Sequence, residues 1–175
     1  VNTAGVLRGY NTDFISIRQL LRDVDVSARF AVFGAGGMAR ACVAALRDLG
    51  VENAVVVARN EAAGSVLAQR YGYSWAAGVQ GADVLINATP IGMSGGLDAL
   101  SLPCALAVIE NAKLVLDCVA MPPRTPLIEA AAEAGVTTIS GRAVMTLQAV
   151  EQFVLYTGVR PSSEQIERAA AFANA

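Results

Sequence analysis

Phe33-Gly34-Ala35-Gly36-Gly37-Met38-Ala39-Arg40 is the stretch on which the fold of this chain turns. Upstream, Arg29 to Phe33 is a short apolar run of strand character. Downstream, Met38 to Leu49 has the periodicity of a helix and stops at Gly50. Between them, Gly34 permits a tight strand-to-helix turn, Gly36 lets the backbone approach a pyrophosphate, and Ala39 is small enough for the helix to pack on the strand. The free amides of such a helix start favour an anion. GxGxxA alone is a weak signal; a strand before it and a helix after it make it a nucleotide-binding turn.

Working outward, the same alternation runs through the chain. Asn11 to Asp23 is predicted as an amphipathic helix, with Asn11 or Thr12 as N-cap and Phe14, Ile17, Leu20 and Leu21 as its stripe. Ala54 to Ala58 is a β-branched run too short for a helix, hence a buried strand, and Glu61 to Tyr71 is a helix ended by Gly72. Ala82 to Asn87, Leu114 to Cys118 and Val136 to Ile139 are further strands. Pro126 to Ala134, Val144 to Tyr156 and Ser163 to Ala173 are helices, and Gly92 to Ile109 is loop around a short helical turn. Strands alternating with helices of this length define the α/β class: a doubly wound parallel sheet of Rossmann type with helices on both faces.

Composition removes several classes of function. The chain has 175 residues, 54% hydrophobic and 16% charged, with a net charge of −2. It is too apolar for a disordered segment, and it carries no basic footprint for nucleic acid or an anionic membrane. No apolar run reaches the roughly 20 residues of a membrane span, so the mean hydropathy of +0.47 reads as a well-buried core. There is no histidine, so Ser-His-Asp and Cys-His pairs and histidine metal sites are excluded, and no metal centre is expected. Of 13 basic residues only Lys113 is lysine. Cys42, Cys104 and Cys118, odd in number and widely spaced, fit reduced thiols in a cytoplasmic protein. The opening Val1-Asn2-Thr3-Ala4-Gly5 has no initiator methionine and starts mid-pattern, from which a missing upstream segment is expected.

The choice of cofactor is read about 20 residues beyond the glycine turn, at the end of the second strand. There Ala58, Arg59 and Asn60 stand before Glu61. A carboxylate at this point would accept from a ribose 2′-OH. Arg59 offers instead a planar fork suited to a 2′-phosphate, which makes NADP the expected cofactor. Glu61 suits the first turn of the following helix. Thr89 and Pro90, after the strand ending at Asn87, would border the cofactor at the mouth of the sheet.

Taken together, Val1-Asn2-Thr3 with Gly9-Tyr10-Asn11-Thr12-Asp13, Gly34 to Arg40, Asn87 to Met93, Thr125-Pro126-Leu127, and Gly141 followed by Gln148 and Phe153 to Gly158 resemble the signatures of the shikimate dehydrogenase family. The resemblance spans essentially the whole chain. It implies NADP-dependent interconversion of shikimate and 3-dehydroshikimate, a step of aromatic amino acid biosynthesis. By position, Asn2 and Asp13 would bond substrate hydroxyls, Asp13 would orient the catalytic lysine, and Gln148 would contact substrate. Gly34, Ala35, Gly36, Gly37, Met38, Ala58, Arg59, Asn60, Thr89, Cys118 and Gly141 fall on cofactor-contacting positions.

The departures from the family pattern are specific. The family's lysine and Ser-x-Ser clamp belong to a preceding substrate domain. Lys113, before a predicted strand, stands at the wrong end of the sheet to replace that lysine. Ala63 stands where a second arginine often clamps the 2′-phosphate, Ala120 where a tyrosine meets substrate, and Gly141-Arg142-Ala143-Val144 where Gly-Leu-Gly-Met is common. These features resemble the shikimate dehydrogenase-like branch. The implied plan is a linker helix over residues 1–24 from the missing domain, an NADP-binding domain over 25–142, and helices over 143–175 packing back toward substrate. A small-molecule substrate is expected, with no nucleic acid or membrane partner, in a monomer or homodimer. A quinate or aminoshikimate dehydrogenase, or a non-catalytic NADP-binding sensor, are the alternatives.

Overall fold

The computed structural model describes residues 1–172. An antiparallel hairpin, β1 (Asn2–Thr3) and β2 (Val6–Leu7), opens the chain and leads to α1 (Thr12–Leu20). There follow β3 (Phe30–Phe33), α2 (Gly37–Asp48), β4 (Ala54–Val57), α3 (Glu61–Arg70), β5 (Ser74–Ala76) and β6 (Val84–Asn87). The second half holds α4 (Leu106–Glu110), β7 (Leu114–Asp117), α5 (Pro126–Glu133), β8 (Thr137–Ile139), α6 (Gly141–Thr157) and α7 (Ser163–Phe172).

Six parallel strands form one sheet in the order β5-β4-β3-β6-β7-β8. Strand order therefore reverses between β3 and β6, the switch point of a doubly wound fold. Alternation along each strand feeds two cores. Phe30, Val32, Val56, Val84, Ile86 and Leu116 pack with Ile17 of α1, Cys42 and Leu46 of α2, and Leu67 of α3. Ala31, Phe33, Val57, Leu85 and Val115 pack on the other face with Ile109 of α4 and Leu127, Ile128 and Ala131 of α5. Both faces of a crossover-built sheet are thus covered, which is why its strands are apolar throughout.

Side-chain caps fix several helix starts. Asn11 Oδ1 accepts from Phe14 N at 3.1 Å, Asn60 Oδ1 from Ala63 N at 3.0 Å, and Thr125 Oγ1 from Ile128 N at 3.2 Å.

The structure departs from the sequence reading at four places. The sheet gains a sixth strand, β5, whose three residues offer no alternating pattern. Residues 1–24 hold the β1–β2 hairpin as well as a helix. Helix α1 closes at Leu20 instead of Asp23, where the Leu21 amide turns back to the Ile17 carbonyl at 3.0 Å. Helix α6 starts at Gly141, three residues before the expected Val144, because Ser140 is extended and already serves as N-cap. Helix α7 runs to Phe172, and its expected end at Ala173 lies outside the described residues.

Candidate functional site

Register places Phe33, Val57, Asn87 and Asp117 level with one another at the carboxyl end of the sheet. Beyond them, at the switch point, the glycine turn leaves β3. Gly34 has φ +110, and a Cβ there would lie 2.9 Å from the Ala88 carbonyl oxygen. Only glycine meets both conditions. At Gly36 and Gly37 the situation is opposite: a Cβ would meet nothing within 4 Å. The space before α2 is open, and no side chain caps the helix, so its first amides face that space. A phosphate bridge fits this cradle.

The cradle is one wall of a cleft of about 490 Å³. Gly34, Ala35 and Gly36 line it together with Ala58, Arg59 and Asn60 from the end of β4, and Thr89 and Pro90 from the end of β6. Arg59 is exposed and makes no ion pair among the described residues. Asn60 turns its carboxamide oxygen to the cap of α3, so what it offers the cleft is its backbone and amide edge. The turn has a second support: the Trp75 indole N–H donates to the Ala58 carbonyl at 3.1 Å. Met38 packs its side chain into the core, leaving its backbone in the first turn of α2.

The loop carrying Thr89 is shaped by a buried polar chain. Asn87 Oδ1 accepts from the Thr89 hydroxyl at 2.6 Å and its amide at 3.1 Å, and Asn87 Nδ2 donates to the Ile91 carbonyl at 3.1 Å. The same Nδ2 donates to Asp117 Oδ1 at 3.0 Å, which also accepts from Val119 N at 3.0 Å. The Thr125 hydroxyl donates to Asp117 Oδ2 at 2.5 Å. Asn87, Asp117 and Thr125 are each fully buried. Burial raises the Asp117 carboxyl above its ordinary value, against the hydrogen bonds that lower it. Asp117 escaped the sequence reading; the available signal was a polar residue closing an apolar strand, beside Asn87 closing its neighbour.

The remaining candidates divide between two places. Helices α1 and α6 pack together and bring Asp13 to Gln148, whose carboxamide nitrogen donates to Asp13 Oδ1. Asn2 is not joined to them: it stands on the exposed hairpin, and its Oδ1 accepts from Gly5 N at 3.0 Å. Cys118 follows β7, its sulfur 3.9 Å from that of Cys42. The Cys42 thiol contact, burial and nearby carboxylates push the Cys118 thiol well above its ordinary pKa, so it stays protonated. Gly141 begins α6 against the Val119–Ala120 backbone, where a Cβ would fall 2.2 Å from the Val119 carbonyl oxygen. Neither Cys118 nor Gly141 lines the 490 Å³ cleft.

Lys113 lies at the opposite end of the sheet, its Nζ 3.4 Å from Asp83 Oδ1. Arg29 bonds the other oxygen of Asp83 through its backbone N–H and its Nε, both at 3.0 Å. Among the described residues no group of three His, Cys, Asp or Glu side chains could hold a metal ion, and no helix is long and apolar enough to cross a membrane.

Strand order and the cleft at the switch point define a Rossmann-type α/β domain with a nucleotide-sized crevice. No protein-family model matches the chain. It is 49% identical to a shikimate dehydrogenase-like protein of Haemophilus influenzae, over 99% of this chain and 65% of that protein. It is 32% identical to a shikimate dehydrogenase (NADP(+)) of Archaeoglobus fulgidus, over 97% and 67%. Among solved structures, a shikimate 5-dehydrogenase-like protein superposes with a TM-score of 0.95 at 48% identity, covering 100% of this chain and 66% of that one. The Thermus thermophilus shikimate 5-dehydrogenase in complex with NADP(H) and shikimate gives 0.83 at 28% identity, covering 98% and 66%. The chain belongs to the shikimate dehydrogenase family. It spans less than two thirds of the length of several curated relatives, down to 57%.

Proposed function

We propose that the chain is the NADP-binding portion of a shikimate dehydrogenase-like oxidoreductase that interconverts shikimate and 3-dehydroshikimate. One observation carries this reading: Arg59, which has no carboxylate partner among the described residues, shares a cleft with an open glycine turn. Gly34 to Met38 would hold the pyrophosphate through backbone amides. Arg59 would take the 2′-phosphate, with Ala58 and Asn60 beside it and Thr89 across the cleft. Cys118, as a neutral thiol, and Gly141 would flank the far part of the cofactor. The cofactor supplies a hydride acceptor for oxidation and a donor for reduction.

The other residues handle substrate. Asp13, steadied by Gln148, would accept a hydrogen bond from a substrate hydroxyl and orient a lysine contributed by a preceding domain. That lysine would take the C3 hydroxyl proton as hydride leaves C3. Gln148 and Asn2 would complete the hydroxyl contacts. The free thiols Cys42, Cys104 and Cys118 agree with a cytoplasmic location. The test is NADPH absorbance with shikimate and NADP, comparing the 175-residue chain with a protein carrying the upstream domain. The chain alone should bind NADP and turn over no shikimate, whereas the longer protein should be active. Robust turnover by the chain alone would overturn the role given to the upstream lysine.

One observation favours a related substrate. Ala120 offers no hydroxyl where the family has a tyrosine, so the pocket loses a contact to shikimate. A panel of shikimate, quinate and an aminoshikimate ranks these readings by kcat/KM. Absence of turnover on all three, with NADP binding retained, favours a sensor module.

A further inference from the structure

A second cleft, of about 350 Å³, runs between α2 and α3 and is lined by Arg40, Ala63, Val66, Leu67, Arg70 and Tyr71 among others. Ala63 lines this cleft and also the one that holds Arg59. The two therefore share Ala63, whose side chain is a single methyl group. Both helices pack on the same face of the sheet, as Cys42 and Leu46 of α2 and Leu67 and Ala68 of α3 enter one core. Parallel crossovers put both helix starts at the carboxyl end. Arg40 is the fourth residue of α2 and Ala63 the third of α3, so the two stand level.

Arg40 is out of place on helix grounds alone. A cation in the first turn opposes the helix dipole, and the first turn of α2 contains no acidic residue to offset it. Arg40 is exposed and makes no ion pair among the described residues. Arg70 is likewise exposed and makes no ion pair among the described residues, but it differs in position. It is the last residue of α3, where the dipole favours a cation, and lies about 10 Å further along the axis at 1.5 Å per residue. A helix start, two guanidinium groups without an ion pair among the described residues, and only the Ala63 methyl common to their two clefts call for a doubly charged anion.

We infer that Arg40 is a specificity-determining residue for the dinucleotide: it reaches across Ala63 to the 2′-phosphate held on its other side by Arg59. This rests on the NADP reading above. Calorimetric titration of the intact protein with NADP and with NAD tests it, using wild type, Arg40→Gln and Arg70→Gln. Arg40→Gln should weaken NADP about tenfold and leave NAD within twofold, as expected for one lost charge-assisted contact at an exposed site. Arg70→Gln should change neither. If wild type prefers NADP and Arg40→Gln keeps that preference, the role of Arg40 is overturned while the NADP reading stands. An equal loss for both coenzymes also overturns it, because Arg40 would then act on the shared pyrophosphate or on the fold. If wild type shows no preference for NADP, the reading beneath the inference fails first, and the inference falls with it.

Discussion

Asp83 and Asp117 sit at opposite ends of the same parallel strands and are treated in opposite ways. At the amino end, Asp83 takes hydrogen bonds from the backbone and side chain of Arg29 and lies beside Lys113, which hold its carboxyl down to about 2. At the carboxyl end, neutral donors satisfy Asp117, no cation pairs with it among the described residues, and burial raises it. Two cations at that end, Arg59 and Arg40, make no ion pair among the described residues. One end of the sheet spends its charges on itself. The other keeps its acid out of reach and its bases available, which is the arrangement an anionic ligand requires.

The sharpest way to break this contrast is Asp117→Ala. It would strand the Asn87 and Val119 N–H groups and the Thr125 hydroxyl in a dry interior. Hydrogen bonds to a charged acceptor contribute about 1.5–3 kcal/mol each, and relaxation recovers part of that, so a loss of about 3 kcal/mol is expected. Urea unfolding measures it; a loss below about 1 kcal/mol would mean the network is held by its surroundings. Next in size is Arg59→Ala, expected to weaken NADP ten- to hundred-fold, about 1.5–3 kcal/mol, with NAD little changed. Titration with both coenzymes decides it, and an equal loss for the two removes Arg59 from the 2′-phosphate.

The smallest effect is at the amino end, and its signature is a pH dependence. A carboxyl depressed in the folded state adds stability above its unfolded pKa, about 3.9, and that stability is lost as pH falls through its folded value of about 2. Asp83→Asn should therefore lower stability at neutral pH, where the ionised carboxylate contributes, and flatten the acid limb between those values, the two proteins converging at the lowest pH. Asp117, being raised, contributes with the reverse sign: its ionised form costs stability, and the cost disappears as pH falls below its ordinary range. A profile of the Asp83→Asn variant that still drops steeply below about pH 4 would show that other carboxylates govern acid unfolding.

The strands around the glycine turn were legible because β-branched runs of four or five residues between helical stretches have one reading. The Gly34–Arg40 turn and Arg59 were legible because their chemistry is local: a conformation, and a charge at a strand end. What stayed hidden depends on separation along the chain. Asp117 matters through Asn87, 30 residues earlier, and through Thr125. Strand β5 exists because Ser74, Trp75 and Ala76 find the edge of β4, and no pattern within three residues announces it. Arg40 was visible as part of a motif, but its relation to Ala63 needed two helices laid side by side.

Trp75 is the chain's sole tryptophan, and its N–H is already engaged with the carbonyl that precedes Arg59. Indole emission from this protein thus originates at the turn where coenzyme selection would occur. Nature has placed an intrinsic fluorophore at that position, and occupancy of the crevice becomes a spectral quantity that needs neither dye nor label.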